Sequence, residues 1–275
     1  MDKAEEIAGF SKGEVIHQVE LNLWETWSHF GRGPGCTLHD EKDALWFETP
    51  IPVIPYNTVL KFQVEQDADR RIDAMVQRYA ARKVPLLWIV HPSSLPLDLS
   101  ERLQARGLQE IEIAPCMARS LENLPELPPI PEGVEIREAI EDRDVMELYG
   151  LAAWRWGVPE EHRSQLGKMI EKFEIGERTS NARFWLAWKD GQPISKVGLY
   201  KGSGSAGIYG VATKPEARGL GIASILMYIA MQAAKDMGYR LAVLDSSPMA
   251  EKLYKRLGFV TVAPLRLYAS VAASI

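Results

Sequence analysis

Cysteine is scarce in this chain: there are two in 275 residues, Cys36 and Cys116. Two thiols far apart in sequence cannot build a disulfide framework, and a reducing, cytoplasmic setting is the simplest expectation. Positive charge is not in excess. Lys and Arg total 32 against 37 Asp and Glu, a net charge of -5, whereas a nucleic-acid binder presents a basic face to the phosphates. Long apolar runs are missing. The longest uncharged stretch, residues 219–234, is shorter than the ~20 apolar residues of a membrane helix. The opening MDKAEEIAGF is acidic and has no apolar centre, so it does not read as a secretory leader. Neither nucleic acid nor a membrane is expected as a partner.

The composition, 46% hydrophobic and 25% charged, is that of a globular protein. The length is near the point where a single core stops growing, which favours two domains. The clearest break is ENLPELPPIPEG, where Pro125, Pro128, Pro129 and Pro131 remove backbone donors and force extended geometry. A stiff linker is expected over 124–133, between domains at 1–123 and 134–275.

The second half alternates its periodicity. GVEIREA reads as a strand, and RDVMELYGLAAWRWG and PEEHRSQLGKMIEKFE read as helices. ARFWLAWKDGQPISKVGLYK reads as a hairpin turned at Asp190 and Gly191. AGIYGVAT follows as a strand, then a helix over 218–237 stopped by Gly238. YRLAVLDS, PMAEKLYKRLG and FVTVAPLRLYAS give strand, helix and two strands split at Pro264. In the first half, DALWFETPIPVIP reads as a strand that its prolines confine to an edge, and DADRRIDAMVQRYAARK as a helix. The fold class expected is α/β, with mixed sheets flanked by helices.

LLWIVHPSS…LSERLQARGLQEIEIAPCMARS resembles LAVLDSSPMAEKLYKRLGFVTVAPLRLYAS, with Gly107 set against Gly258. Both run strand, polar turn, short helix, glycine, strand, proline, strand, which suggests an internal repeat. The first copy has Leu103 where the second has Tyr254, and nothing that answers to Arg218–Ala223.

VATKPEARGLGIAS carries the chemistry. Glycines ahead of a helix commonly hold a phosphate, because the first turn presents unpaired N–H groups and the positive end of the helix dipole. Two cofactors fit the glycines. For a dinucleotide, Gly219, Gly221 and Ser224 approximate the fingerprint, and Asp245 ends the next strand. That fingerprint starts directly at the strand end, however, and here KPEAR intervenes. For an acyl-coenzyme A, Arg218-x-x-Gly221-x-Ala223 places small residues against a pyrophosphate, ahead of a helix apolar almost all round.

At these residues the sequence resembles the GNAT acetyltransferase superfamily. Its main motif, a strand and turn followed by Q/R-x-x-G-x-G/A, is matched by Val211 to Pro215 and then Arg218, Gly221 and Ala223. Its second motif, an Asn and then A-x-x-L-Y-x-x-x-G-F, is matched by Ala250, Leu253, Tyr254, Gly258 and Phe259, with Ser247 at the Asn position. Either motif alone is weak, but together, in order, they are specific. The resemblance spans roughly 134–270, and the first half looks like the degenerate domain of tandem members. It implies tandem GNAT-like domains, each with a mixed, mostly antiparallel sheet. It also implies transfer of an acetyl group from acetyl-CoA, as co-substrate, to a primary amine of a small molecule or peptide. A non-catalytic acyl-CoA-binding or regulatory module is the alternative, and a homodimer is left open.

The resemblance assigns roles. Val211, Ala212 and Thr213 would pair with the pantetheine arm and polarise the thioester carbonyl. Arg218, Gly219, Leu220, Gly221, Ile222, Ala223 and Ser224 would hold the pyrophosphate, and Tyr254 would protonate the leaving thiolate. Tyr254 is otherwise a helix aromatic packed on Ala250 and Leu257, and Arg218 a solvated cation. Ser247, ahead of Pro248, is equally an N-cap. No general base is evident: Asp245, Glu216 and a water relay stay open, since Ala242 stands where some members have a glutamate. Trp154, Arg155 and Trp156 either line the acceptor site or belong to the core. His29, Cys36 and His39 share a Gly-rich loop but match no standard ligand spacing, so no metal is expected.

Overall fold

A computed structural model of the chain describes residues 6–177 and 180–270. Residues 1–5, part of the acidic start considered as a leader, lie outside the described residues. In chain order the strands are β1 (Thr37–Asp40), β2 (Ala44–Glu48), β3 (Thr58–Phe62), β4 (Leu87–Val90), β5 (Leu108–Ser120), β6 (Val134–Glu138), β7 (Ala182–Lys189), β8 (Gln192–Lys201), β9 (Ala206–Thr213), β10 (Leu241–Asp245) and β11 (Val260–Ser270). The helices are α1 (Lys12–Ser28), α2 (Ala68–Ala81), α3 (Leu99–Gln104), α4 (Asp142–Trp156), α5 (Arg163–Ile170), α6 (Ile222–Asp236) and α7 (Glu251–Arg256). Two compact units interleave along the chain. One comprises Met1–Thr26, Pro115–Arg155 and Phe173–Ala263; the other comprises Trp27–Ala114, Trp156–Lys172 and Pro264–Ile275. Residues 124–133 lie within the first.

The first unit has the strand order β5-β10-β9-β8-β7-β6, and only β9 and β10 are parallel. Asp190 and Gly191 turn β7 into β8 with φ of 50° and 73°, the positive pair that a type I′ turn needs. One face is sealed by α6, whose Ile222, Leu226, Met227, Ala230, Met231 and Ala234 pack on Ile208, Leu199 and Leu244. That burial, rather than helix propensity, makes the apolar run a core helix. The other face carries α1. Asn22 donates to the Ser205 carbonyl at 2.8 Å, and Glu25 accepts from the Ser203 amide at 2.9 Å. A side chain at Gly207 would overlap Asn22 and Tyr209. The glycine there is required by close approach of the helix.

The second unit repeats the pattern as β1-β2-β3-β4-β11, again with a single parallel pair, β3 with β4. Its core joins Phe62, Ile72, Met75, Tyr79, Trp88 and Tyr268. The repeat suspected in the sequence is a structural one: β4-α3-β5 and β10-α7-β11 have the same element order, and Gly107 and Gly258 share φ of 82° and 84°. The closing strands are exchanged. Cys116–Ser120 of β5 pair with β10, while Arg266–Ala269 of β11 pair with β4.

Several expectations need correcting. β11 is one strand that passes through Pro264, because Pro264 precedes the 266–269 ladder and its missing N–H breaks no bond to β4. β2 lies between β1 and β3 rather than at an edge, its prolines falling beyond Glu48. The helix expected over 218–237 begins at Ile222, after a short 3-10 turn at Pro215–Ala217. α7 begins at Glu251, and Ser247 serves it through its carbonyl, which accepts from the Ala250 and Glu251 amides at 3.0 and 3.2 Å. Helix α1 was not anticipated. Its signal is a capping box, in which the Ser11 amide donates to the Glu14 carboxylate at 2.7 Å, ahead of Val15, Val19 and Leu23.

Candidate active site

The site grows from a fault in the first unit's sheet. β8 and β9 pair Lys196 with Ala212 and Gly198 with Tyr209. Two residues, Gly210 and Val211, therefore face one, Val197. Such a bulge bends a strand, and Gly210 takes the positive φ of 66°. On its other side β9 pairs with β10 only at Ala206–Ala242 and Gly207–Val243. Beyond Gly207 the strands part, and the backbone from Ile208 to Thr213 has no ladder with β10. A wedge lined by main-chain donors and acceptors results.

Lys196 holds the bulge. Its ammonium donates to the Gly210 carbonyl at 2.7 Å. Burial, with Arg155 nearby, pushes its pKa down to about 8. Ser195 Oγ lies 2.9 Å from the Ala212 carbonyl and 2.8 Å from Thr213 Oγ1, tying down the strand end.

The chain then turns through Pro215–Ala217 into the glycine loop. Arg218 is exposed, its Nε donating to the Thr213 carbonyl at 3.2 Å. Gly219 and Gly221 have φ of 80° and 77°. A Cβ at either would meet no protein atom within 4 Å, so backbone conformation, not crowding, selects glycine here. Gly221 caps α6 without any side-chain cap. The first intrahelical bond runs from the Ile225 amide to the Gly221 carbonyl, which leaves the amides of Ile222, Ala223 and Ser224 without an intrahelical partner. Leu220 is exposed, and Ala223 and Ser224 are half-buried.

Tyr254 of α7 is 6% exposed and packs edge-on against Phe259. Burial raises its phenol pKa, Asp245 raises it further, and Arg155 opposes. Arg119 anchors this helix, donating to the carbonyls of Leu257, Ser120 and Asn123. Trp154 and Arg155 are both exposed, so neither belongs to the core. Sequence reasoning missed Lys196 and Tyr209. Cys36 and His39 have protein partners, Gln165 and Glu48. Among the described residues no three potential metal ligands cluster.

The second unit offers a comparison. Its parallel pair also stops after two residues, Thr58–Leu87 and Val59–Trp88. There the wedge is filled by the chain itself. The Leu95 amide donates to the Phe62 carbonyl at 3.0 Å, Gln63 Nε2 donates to Ser93 Oγ at 2.9 Å, and His91 is buried beside Leu60.

Residues 145–259 match the family described as Acetyltransferase (GNAT) family. The matched segment, which holds the glycine loop and Tyr254, is similar to the GNAT acetyltransferases. A curated relative, a mycothiol acetyltransferase of Actinosynnema mirum, is 32% identical over 173 residues, covering 58% of this chain. The chain covers 55% of that protein, about half its length. Among solved structures, a GCN5-related N-acetyltransferase from Kribbella flavida is similar with a TM-score of 0.67 at 17% identity, covering 92% of this chain and 97% of that one. A tandem GNAT protein from the clavulanic acid biosynthesis pathway has a TM-score of 0.62 at 14% identity, with coverage of 96% and 95%. These likenesses show that the chain shares the fold of those two structures. No helix among the described residues is long and apolar enough to cross a membrane.

Proposed function

We propose that the chain is an N-acetyltransferase that moves an acetyl group from acetyl-CoA directly to a primary amine of a small molecule or peptide. The observation that carries this reading is the wedge between β9 and β10, opening beside the bare N-terminus of α6. The pantetheine arm would take the place of a strand against Val211, Ala212 and Thr213. The loop from Arg218 to Ser224 would hold the pyrophosphate, with donors and dipole matched to an anion, and Ser247 would flank the cofactor from the end of β10. Acetyl-CoA supplies a thioester carbon open to attack.

The chain's own groups fit the remaining roles. Backbone amides of the parted β9 would polarise the carbonyl. Tyr254 would donate its proton to the departing thiolate, and its raised pKa keeps that proton in place at neutral pH. Arg155 and the Lys196 ammonium bring positive charge to the side where negative charge grows. Residues 1–123 are proposed as the degenerate copy and 134–275 as the catalytic one, joined at 124–133.

Thermal shift tests the reading: acetyl-CoA should raise Tm and NAD should not. Thiol release across an amine panel then separates the enzyme from a non-catalytic acyl-CoA-binding module. Stabilisation by NAD alone would overturn the acyl-CoA assignment.

A further inference from the structure

Cys116 stands opposite Asp245 in the β5–β10 ladder. Tyr209 and Asp245 each lie two residues past the last β9–β10 pair, Gly207–Val243, where the strands have parted, and Asp245 still acts on the Tyr209 phenol. Side chains alternate along a strand, so Tyr209 shares the face of Gly207, against which Asn22 of α1 packs. Ile208, between them, faces α6. Tyr209, Asp245 and Cys116 thus form a row across three strands, at the mouth of the wedge and on the face that α1 covers.

Tyr209 is only 8% exposed, and its hydroxyl is buried with no hydrogen-bond partner among the described residues. A hydroxyl left so in a folded protein is unfavourable, and it marks a place where a ligand's polar atom is missing. Two carboxylates, Asp245 and Glu25, lie close enough to act on it. Burial raises the Tyr209 pKa, and Asp245, Cys116, Tyr200 and Glu25 raise it further; burial, Asp245 and Glu20 raise that of Cys116. Glu20 is 2% exposed, and Glu25 caps Ser203. Lys196 is bonded to Gly210, next to Tyr209 on β9, and Arg155 acts on Lys196 and Tyr254. Attraction between opposite charges is strong in such a weakly hydrated place.

We propose that the row Tyr209–Asp245–Cys116, walled by Glu20 and Glu25 of α1, is the acceptor subsite, and that it takes its acceptor as an alkylammonium cation. The assignment rests on the transferase reading and narrows the acceptor to aliphatic amines, which are protonated at neutral pH, over arylamines. It also makes the N-terminal helix part of the site, because α1 supplies one wall of the subsite.

The test uses the full chain saturated with CoA, which permits no turnover. Calorimetric titration with n-pentylamine should show binding, and its uncharged isostere n-pentanol should show none. Asp245→Asn and Glu20→Gln should each weaken n-pentylamine by about tenfold or more. Tyr209→Phe should weaken it several-fold without lowering Tm, because the hydroxyl has no bond to lose; this variant keeps the test open if a carboxylate variant fails to fold. Equal binding of n-pentanol, or n-pentylamine affinity unchanged in all three variants, would overturn the subsite. With acetyl-CoA in place of CoA, faster thiol release for n-pentylamine than for aniline supports the assignment. Equal rates would overturn the preference for cations while leaving the transferase standing. Charge-dependent n-pentylamine binding without thiol release from any amine would support the cation subsite and sink the transferase reading.

Discussion

Asp67 and Gly221 hold the same left-handed backbone conformation at the same place in two corresponding strand-helix segments, β3–α2 and β9–α6. Each caps the helix that follows the strand of a parted parallel pair, with φ of 56° and 77°. In one unit the cap is bare backbone, open to an anion. In the other it is a carboxylate, which brings its own negative charge to the helix N-terminus. With Leu95 and Ser93 also filling the neighbouring wedge, only the first unit keeps a wedge open for the proposed acyl-CoA. Calorimetry should therefore return one acetyl-CoA per chain. A second binding event of similar affinity would contradict this.

Gly221→Ala puts a Cβ where φ is 77°. The left-handed conformation costs a non-glycine residue about 1–2 kcal/mol, and the loop can escape that cost only by turning its amides away. We expect a modest fall in Tm and acetyl-CoA binding weakened by about tenfold, or ~1.4 kcal/mol. Calorimetry alongside thermal unfolding checks both; intact affinity would mean that the loop does not hold the cofactor.

Tyr254→Phe keeps the ring that packs on Phe259 and removes only the proton donor. Affinity for acetyl-CoA should be retained while kcat falls by about 100-fold, the usual scale for an acid catalyst. Because the folded pKa is raised, the neutral phenol is favoured and the donor stays loaded. The wild-type kcat profile should show no alkaline limb from this group below pH ~10, its unperturbed value. Turnover unaffected by the substitution would remove Tyr254 from the chemistry.

Lys196 makes stability depend on pH in an unusual direction. Its folded pKa, pushed down to about 8, lies below the ordinary 10.5. Between these values the unfolded chain binds a proton that the folded chain does not, so stability rises with pH across that window and is lost as pH falls through 8. Lys196→Met should abolish this gain. The difference in Tm between wild type and variant, measured at pH 7 and pH 10, is the readout; a difference independent of pH would show that Lys196 is not desolvated.

Much of the fold was legible because local signals suffice for it. The Asp190-Gly191 turn, the stop at Gly238 and the matched Gly107 and Gly258 are choices made within a few residues. The order of elements in the GNAT motifs follows the same way. What escaped depends on partners remote in sequence. Lys196 is an ordinary strand lysine until a bulge on β9 offers it the Gly210 carbonyl. Tyr209 gains its meaning from the parting of β9 and β10, and from the carboxylates of α1 almost two hundred residues earlier. Pro264 read as a break because the position of the ladder around it is set by β4. Helix α1 carried its own signal, in Ser11 and Glu14, and was within reach of the sequence.

The exchange of closing strands decides where this protein can be cut. The edge of β10 is covered by Cys116–Ser120, on the other side of the Pro-rich segment from the residues it completes. A fragment beginning at that segment keeps the glycine loop and Tyr254. It loses α1, and it bares the backbone of β10 as an adhesive edge. The segment that looks in sequence like a natural scissile point is thus a poor place to divide the gene. A split protein made there would depend on its two pieces finding each other before the glycine loop could hold a ligand.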